Sequence, residues 1–475
     1  MGTFIAAAAQ DNPLILEFER FRNQSQNTFM DFRRECNSRY AEFLKQSWEE
    51  FGANPEIPKP VEDIIPPVIY EKPQDESPSR DNEIQIDQVV NEPVFDPAPQ
   101  PVEPVNVAPE PIGHNFKFVF YGTPMQVSAD DGLRFSLNSL SRNDISGMWK
   151  RLSRGDYDRI LVDCLGIRDE YRLCDWAYLQ MLHVFSDAFL GSGNASALLT
   201  SWLFCQSGYK MRLGTDKNRL YMLFASRHLI YNLSYFTIDG EYFYPYQCDS
   251  ERLDIANIKY PGEKSLSLLI KEQPVLAERC SEARVLEPAS YDFEVTSKVN
   301  LNLLDFFTDY PSSCTDGNPL TRWAIYAQTP FDPSVRGMLY PVLEDYLKDR
   351  SEMEKVGILL NFVQTALKYE YDEKVWGEDR AFFAEESLFY PYCDCEDRSI
   401  LFSRLVRDLL GLKVLLVYYP GHLATAVEID EPVAGDCLTL NSERFTICDP
   451  TYIGAPVGKT MPGMDNSKAS VILIK

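Results

Sequence analysis

Fourteen of the chain's 31 prolines fall between residues 53 and 113, and that stretch limits how everything around it can fold. Each proline fixes φ and removes a backbone donor, so neither a continuous helix nor a central strand survives at this density. The same stretch carries 13 acids against three bases, and its net charge extends it further. It reads as a semi-rigid acidic linker with a polyproline II bias, reaching about 100 Å or more at ~3.1 Å per residue. Short apolar pairs such as Ile64-Ile65 and Val89-Val90 can dock locally, and no structure is assigned to them. The linker separates an N-terminal segment, residues 1–52, from the folded remainder.

Composition narrows the function classes. The chain has 475 residues, which at ~150 per domain suggests two or three domains. Hydrophobic residues at 45% and aromatics at 13% are a globular composition. Asp and Glu number 71 against 46 Lys and Arg, a net charge of −25, which repels phosphate backbones, so no nucleic-acid partner is expected. No run of ~18 apolar residues occurs, so no membrane span is expected either. Eleven cysteines in this length are too sparse for a disulfide-built scaffold.

Residues 1–12 include Thr3-Phe4-Ile5-Ala6-Ala7-Ala8-Ala9-Gln10, apolar and small, with no Lys or Arg ahead. They read as the remnant of a signal peptide ending in an A-x-A-like site, or as an ordinary chain start. The first reading places the protein outside the cytoplasm, in the periplasm, the cell envelope or the medium. Residues 13–52 read as an amphipathic helix with an eleven-residue aromatic repeat over 17–51. Phe18, Phe29, Tyr40 and Phe51 form one series; Phe21, Phe32 and Phe43 form a second; Ser25, Cys36 and Ser47 form a third. A period of eleven keeps all three on one nearly straight face. That face either packs on its own protein or docks elsewhere, and the long linker favours docking, to a partner helix or by self-association.

Residues 114–290 read as an α+β domain. Asn115 to Tyr121, Val127, and Leu133 to Leu137 suggest a small sheet, and residues 144–190 carry helical spacing. A helix from Ser196 to Cys205 stops at Gly208, and Tyr- and Phe-rich strands follow at 209–213, 221–224, 230–236 and 242–244.

Residues 291–475 carry the chemistry. Val356 to Tyr371 has the spacing of a buried helix. Asp394 suits an N-cap, Asp397 stands at N3, and Ile400, Leu401, Leu405, Val406, Leu409 and Leu410 line one face up to Gly411. Cys395 then sits in the first turn, where free N–H groups favour a thiolate, while Asp394, Glu396 and Asp397 oppose it. A strand over 413–418, a Pro420-Gly421 turn and a strand from His422 to Ile429 come next. A hairpin with a four-residue loop, Asn441 to Arg444, follows and ends at Asp449-Pro450-Thr451. A helix-start Cys, a strand-start His and a strand-end Asp are the parts of an activated thiol nucleophile. Of the four histidines, His183 fits a core position and His114 and His228 lie at turn or strand edges, which leaves His422.

The motifs Asp394-Cys395-Glu396-Asp397, Gly421-His422 and Asp449-Pro450-Thr451-Tyr452 resemble, in this order, the transglutaminase-like (papain-like) cysteine protease superfamily. The resemblance covers residues 355–460. It implies an α+β fold with a helix packed on an antiparallel sheet, and a catalytic domain over 291–475. It implies Cys395 as nucleophile, His422 as general base and acid, and Asp449 as orienter, with the Cys395 N–H as oxyanion donor. Cys393 stands where the family often has Gly. The implied reaction is acyl transfer on peptide or isopeptide amides, hydrolysis more than crosslinking because water is the abundant acceptor, with a protein or peptide substrate. It needs no cofactor, and none is expected. The other reading is a non-catalytic envelope or assembly protein that binds peptide and docks through its N-terminal helix.

Two further expectations follow. With an offset of 203, Ser196, Gly208, Lys210 and Leu213 fall on Ser399, Gly411, Lys413 and Leu416, so the middle domain reads as a degenerate second copy with Ser192 in place of the Cys. If the hairpin loop has four residues, Cys437 lies opposite Cys448 within disulfide reach, a bridge that export would permit. Zinc ligation by Cys393, Cys395, His422, Cys437 and Cys448 is disfavoured by the Cys-x-Cys spacing, and no metal is expected.

Overall fold

The computed structural model describes residues 31–60, 66–71, 82–101, 105, 115–248 and 250–474; the signal-like start, the first half of the aromatic repeat and His114 lie outside them. The chain is α+β, built on two sheets, one antiparallel and one antiparallel but for its two parallel outer strands, that share a helical interior. The N-terminal part supplies α1 (residues 31–44) and four short strands, β1 (Glu49–Gly52), β2 (Val68–Ile69), β3 (Asn82–Gln85) and β4 (Val89–Val90). The middle unit contains α2 (Asp175–Leu190), α3 (Asn194–Gln206), β5 (Met211–Thr215), β6 (Leu220–Ser226), β7 (Phe236–Ile238), β8 (Glu241–Pro245) and β9 (Arg252–Ala256). The C-terminal unit contains α4 (Thr321–Gln328), α5 (Glu352–Ala366), α6 (Cys395–Leu410), β10 (Val414–Tyr419), β11 (His422–Glu428), β12 (Asp436–Leu440), β13 (Glu443–Cys448), β14 (Tyr452–Ile453) and β15 (Ser470–Leu473).

The two units repeat one topology. The first sheet runs β1-β9-β5-β6-β8-β7 and the second β3-β12-β13-β11-β10-β15-β4. Without β1, β3 and β4 the orders match element for element: α3, β5, β6, β7, β8 and β9 correspond to α6, β10, β11, β12, β13 and β15, with every neighbour antiparallel. The 203 offset holds at the helix C-termini and first strands: Gly208 and Gly411 have φ of +94° and +69°, and β5 and β10 begin at Met211 and Val414. It slips at the helix start. Asn194, not Ser192, opens α3.

The N-terminal segment is not a free docking helix on a tether. Tyr40, Ala41, Leu44 and Trp48 are buried in the main core, and the Tyr40 ring lies 4.7 Å from Trp149 and 5.8 Å from Tyr260. Buried Asn37 and Gln206 exchange two hydrogen bonds, of 2.8 and 3.0 Å. The row that packs is therefore 37, 40, 41, 44 and 48, while Phe32 and Phe43 are exposed and Phe51 leaves the helix for β1. The proline-rich segment is a strap. β1 pairs with β9, β2 with β14, β3 with β12 and β4 with β15. Further on, Arg227 pairs with Asp96, Arg168 donates to the Pro99 carbonyl at 2.8 Å, and Gly208 lies against Gln100. Prolines forbid a central strand, yet the gaps between them suffice for edge strands two to four residues long.

The β12–β13 turn has two residues, Asn441 and Ser442, with φ of 52° and 71°, the left-handed pair of a type I′ hairpin rather than a four-residue loop. That register sets Cys437 opposite Thr446, and Cys448 pairs across to Thr425, so the expected bridge is not made.

Candidate functional site

Asp449 shows how local sequence builds the site. Its Oδ1 accepts the N–H groups of Thr451 at 2.9 Å and Tyr452 at 3.2 Å, an Asx-type turn that Pro450 suits. The other oxygen, Oδ2, is then left for His422 Nε2 at 2.9 Å. His422 is the first residue of β11, placed there by the Gly421 turn with φ of +86°, and is 0% exposed. Its Nδ1 finds no hydrogen-bond partner among the described residues. Two of the three expected residues are thus brought together.

Cys395 stands beside the next residue of that strand, Leu423. It opens α6, is 3% exposed, and the Leu423 N–H lies close enough to its sulfur to favour the thiolate. It shares no hydrogen bond with His422: the thiol donates to Glu396 Oε2 at 3.2 Å. Strand alternation gives the reason. Leu423 faces the core under α6, whereas His422 shares its face with Ala424 and Ala426, which pack in the second core. Burial, and then the charges of Glu396 and Asp394, push the Cys395 thiol well above its usual range. Cys393 is held elsewhere, its thiol donating to the Lys368 carbonyl at 3.7 Å.

The sulfur lies against a set of buried carboxyls. Asp397 stabilises the helix start by accepting the Asp394 N–H at 3.2 Å and the Phe382 N–H at 2.8 Å. Asp372, Asp394 and Asp397 bring oxygens within 4.8 Å of one another, and so do Asp372, Asp379 and Glu396. Arg322 on α4 pairs with Asp379 at 2.8 Å and approaches Glu396 at 4.0 Å. Burial and mutual repulsion raise Asp394 and Asp397, and burial with Glu396 pushes Asp372 up to about 8. Bound protons relieve the repulsion; an all-oxygen donor set of this kind also suits a hard cation rather than zinc. No such group unites Cys393, His422, Cys437 and Cys448 among the described residues.

Two supporting residues escaped the sequence reading. Arg398, fully buried in α6, donates to the Gln364, Pro450 and Leu367 carbonyls at 3.2, 3.3 and 2.9 Å. Gln364 on α5 donates to the Asp449, Tyr452 and Ala455 carbonyls and accepts the Gly454 N–H. Together they clamp the loop that carries Asp449. The only signal was a polar residue inside an apolar helical stripe. The other described histidines lie apart. His228 bonds Ser313 and the Leu268 N–H, with burial lowering it to about 4, and His183 sits 3.6 Å from Asp187 in the middle unit. In the middle unit Asn194, Leu220 and Tyr246 occupy the positions of Cys395, His422 and Asp449. Compared with protein-family models, curated proteins and solved structures, the chain matches none.

Proposed function

We propose that the protein is a cysteine-dependent acyl-transfer enzyme of the transglutaminase-like (papain-like) type, acting on peptide or isopeptide amides and hydrolytic more than crosslinking. The observation that carries the reading is the buried imidazole. His422 is bonded through Nε2 to a carboxylate, keeps Nδ1 without a partner, and neighbours the N–H that reaches Cys395. Cys395 Sγ attacks the amide carbonyl as its proton passes to His422 Nδ1. The imidazolium then protonates the leaving amine, and water, deprotonated by the same nitrogen, releases the acid from the thioester. Asp449 holds the ring in one tautomer and stabilises its charged form. For this the thiol leaves Glu396, and the imidazole at the start of β11 swings round the strand end from the face it shares with Ala424 to reach the sulfur. Export, read from residues 3–10, belongs to this proposal.

Labelling with a thiol-directed electrophile near neutral pH tests the reading. The expected result is selective modification of Cys395, slowed on the order of 100-fold by His422→Ala and less by Asp449→Asn. The thiol's bond to Glu396 and its burial favour the second reading, a non-catalytic peptide-binding protein. Labelling indifferent to His422 would establish that reading instead.

A further inference from the structure

The middle unit keeps a cavity where its duplicated site should be. It has a volume of about 80 Å³ and is lined by His183, Asp187, Asn194, Thr200, Leu220 and Tyr246. His183 and Asp187 come from α2 and Thr200 from the middle of α3; Asn194, Leu220 and Tyr246 mark the start of α3, the start of β6 and the end of β8, the three element ends that carry Cys395, His422 and Asp449 in the other unit. A larger cleft of about 580 Å³ lies beside it and shares Tyr246 and Gln247 as a common wall.

One stripe of α2 runs along both. Trp176 and Gln180 line the cleft, and His183 and Asp187 line the cavity, at the i, i+4, i+7 and i+11 spacing of a single helix face. At 1.5 Å per residue that stripe spans ~16 Å, enough for about five residues of extended chain. The far wall of the cleft is Asp379 and Arg380. Asp379 binds Arg322, and its carboxylate lies within 4.8 Å of Glu396, the residue that accepts the Cys395 S–H hydrogen bond. The cleft therefore runs from beside the altered site to Asp379, whose carboxylate neighbours the Glu396 that bonds the Cys395 thiol.

Its walls hold polar groups with nothing to bind. Thr200 Oγ1 and Tyr310 Oη, on residues 2% and 8% exposed, and Gln180 Oε1 find no hydrogen-bond partner among the described residues. Buried donors and acceptors left unmatched are costly, and a bound chain satisfies them once these side chains turn into the cleft. Trp176, Phe224 and Phe307 supply apolar faces between them.

We propose that this cleft seats an extended stretch of polypeptide substrate, about five residues long, lying along α2 from the duplicate's cavity toward Asp379. A peptide backbone presents donors and acceptors at the ~3.3 Å repeat that such separated polar groups can match. The choice of a peptide rests on the acyl-transfer reading, because the sulfur acts on an amide. The duplicate then binds rather than reacts, and the strand-order repeat acquires a function.

The test uses the full chain carrying Cys395→Ala and a fluorescein-tagged pool of mixed-sequence decapeptides, read by fluorescence anisotropy. Tyr310→Phe and Thr200→Val each remove a hydroxyl without changing shape. Saturable binding, weakened about three- to tenfold by each substitution, is the expected result. Absence of saturable binding, indifference to both substitutions, or displacement of the pool by N-acetylglucosamine oligomers would overturn the proposal. Thiol labelling of the wild-type chain is a separate readout. Peptide binding without His422-dependent labelling keeps the cleft and removes the enzyme; labelling without peptide binding does the reverse.

Discussion

Cys395 sits under opposed influences whose balance can be shifted by one atom. The helix start and the Leu423 N–H favour a thiolate, but burial and two neighbouring carboxylates outweigh them. Glu396→Gln removes one charge while keeping an oxygen able to accept the S–H. Arg322 retains Asp379 at 2.8 Å, so no buried cation is stranded. The Cys395 thiol should then titrate at lower pH, and since more thiolate is present at any fixed pH, labelling at pH 7 should speed up, by about tenfold for each pKa unit. The wild-type rate should climb only on the alkaline side, with the variant's profile displaced toward acid. An unchanged profile would mean that burial alone sets the thiol. Asp394, Cys395, His422 and Asp449 were readable because caps, turn residues and strand ends leave local marks. That the sulfur bonds Glu396 was not readable, because it depends on which sheet face each residue of β11 meets. Gln364 and Arg398 were hidden for a related reason: a buried polar side chain announces its partners only once distant carbonyls are brought to it.

At the level of elements, the repeated helix–glycine–strand arrangement offers its own control. Gly208 and Gly411 both end their helices with left-handed backbone, and alanine at either incurs that strain, about 1 kcal/mol. They differ in surroundings. A Cβ on Gly411 meets nothing within 4 Å, whereas one on Gly208 falls 2.1 Å from the Gln100 carbonyl oxygen. Gly208→Ala must displace the strap as well, so it should cost about 2–4 kcal/mol in urea unfolding against about 1 for Gly411→Ala. Equal losses would show that the Gln100 contact contributes little. The offset relating these glycines was legible because helix ends and first strands repeat in type and spacing. The β12–β13 turn was not: Asn441-Ser442 carries a weaker hairpin signal than Asn-Gly, and the two-residue register it sets decides where Cys437 lies.

For the whole molecule the segment ahead of residue 115 acts as part of both folded units. β1 covers the outer edge of β9, while β3 and β4 cover those of β12 and β15, so the strap occupies three sheet edges that would otherwise present unpaired backbone. α1 adds Tyr40 and Leu44, with Trp48 just beyond it, to the interior. Loss of three such side chains leaves cavities costing roughly 2–5 kcal/mol each, comparable in sum with the stability of a typical domain. Had the repeat served only for assembly, a chain lacking residues 1–113 would remain folded and lose an oligomer. The packing requires the opposite. The truncated chain should gain association, eluting as heterogeneous aggregates in size exclusion with light scattering, because three edges and an apolar hollow open together. Ile84→Pro in the full chain is the milder form, removing an N–H at the β3 edge strand while leaving α1 in place, and should lower the melting temperature without aggregation. A monomeric truncated chain with the melting temperature of the full one would make the strap an ornament and return the repeat to a docking role.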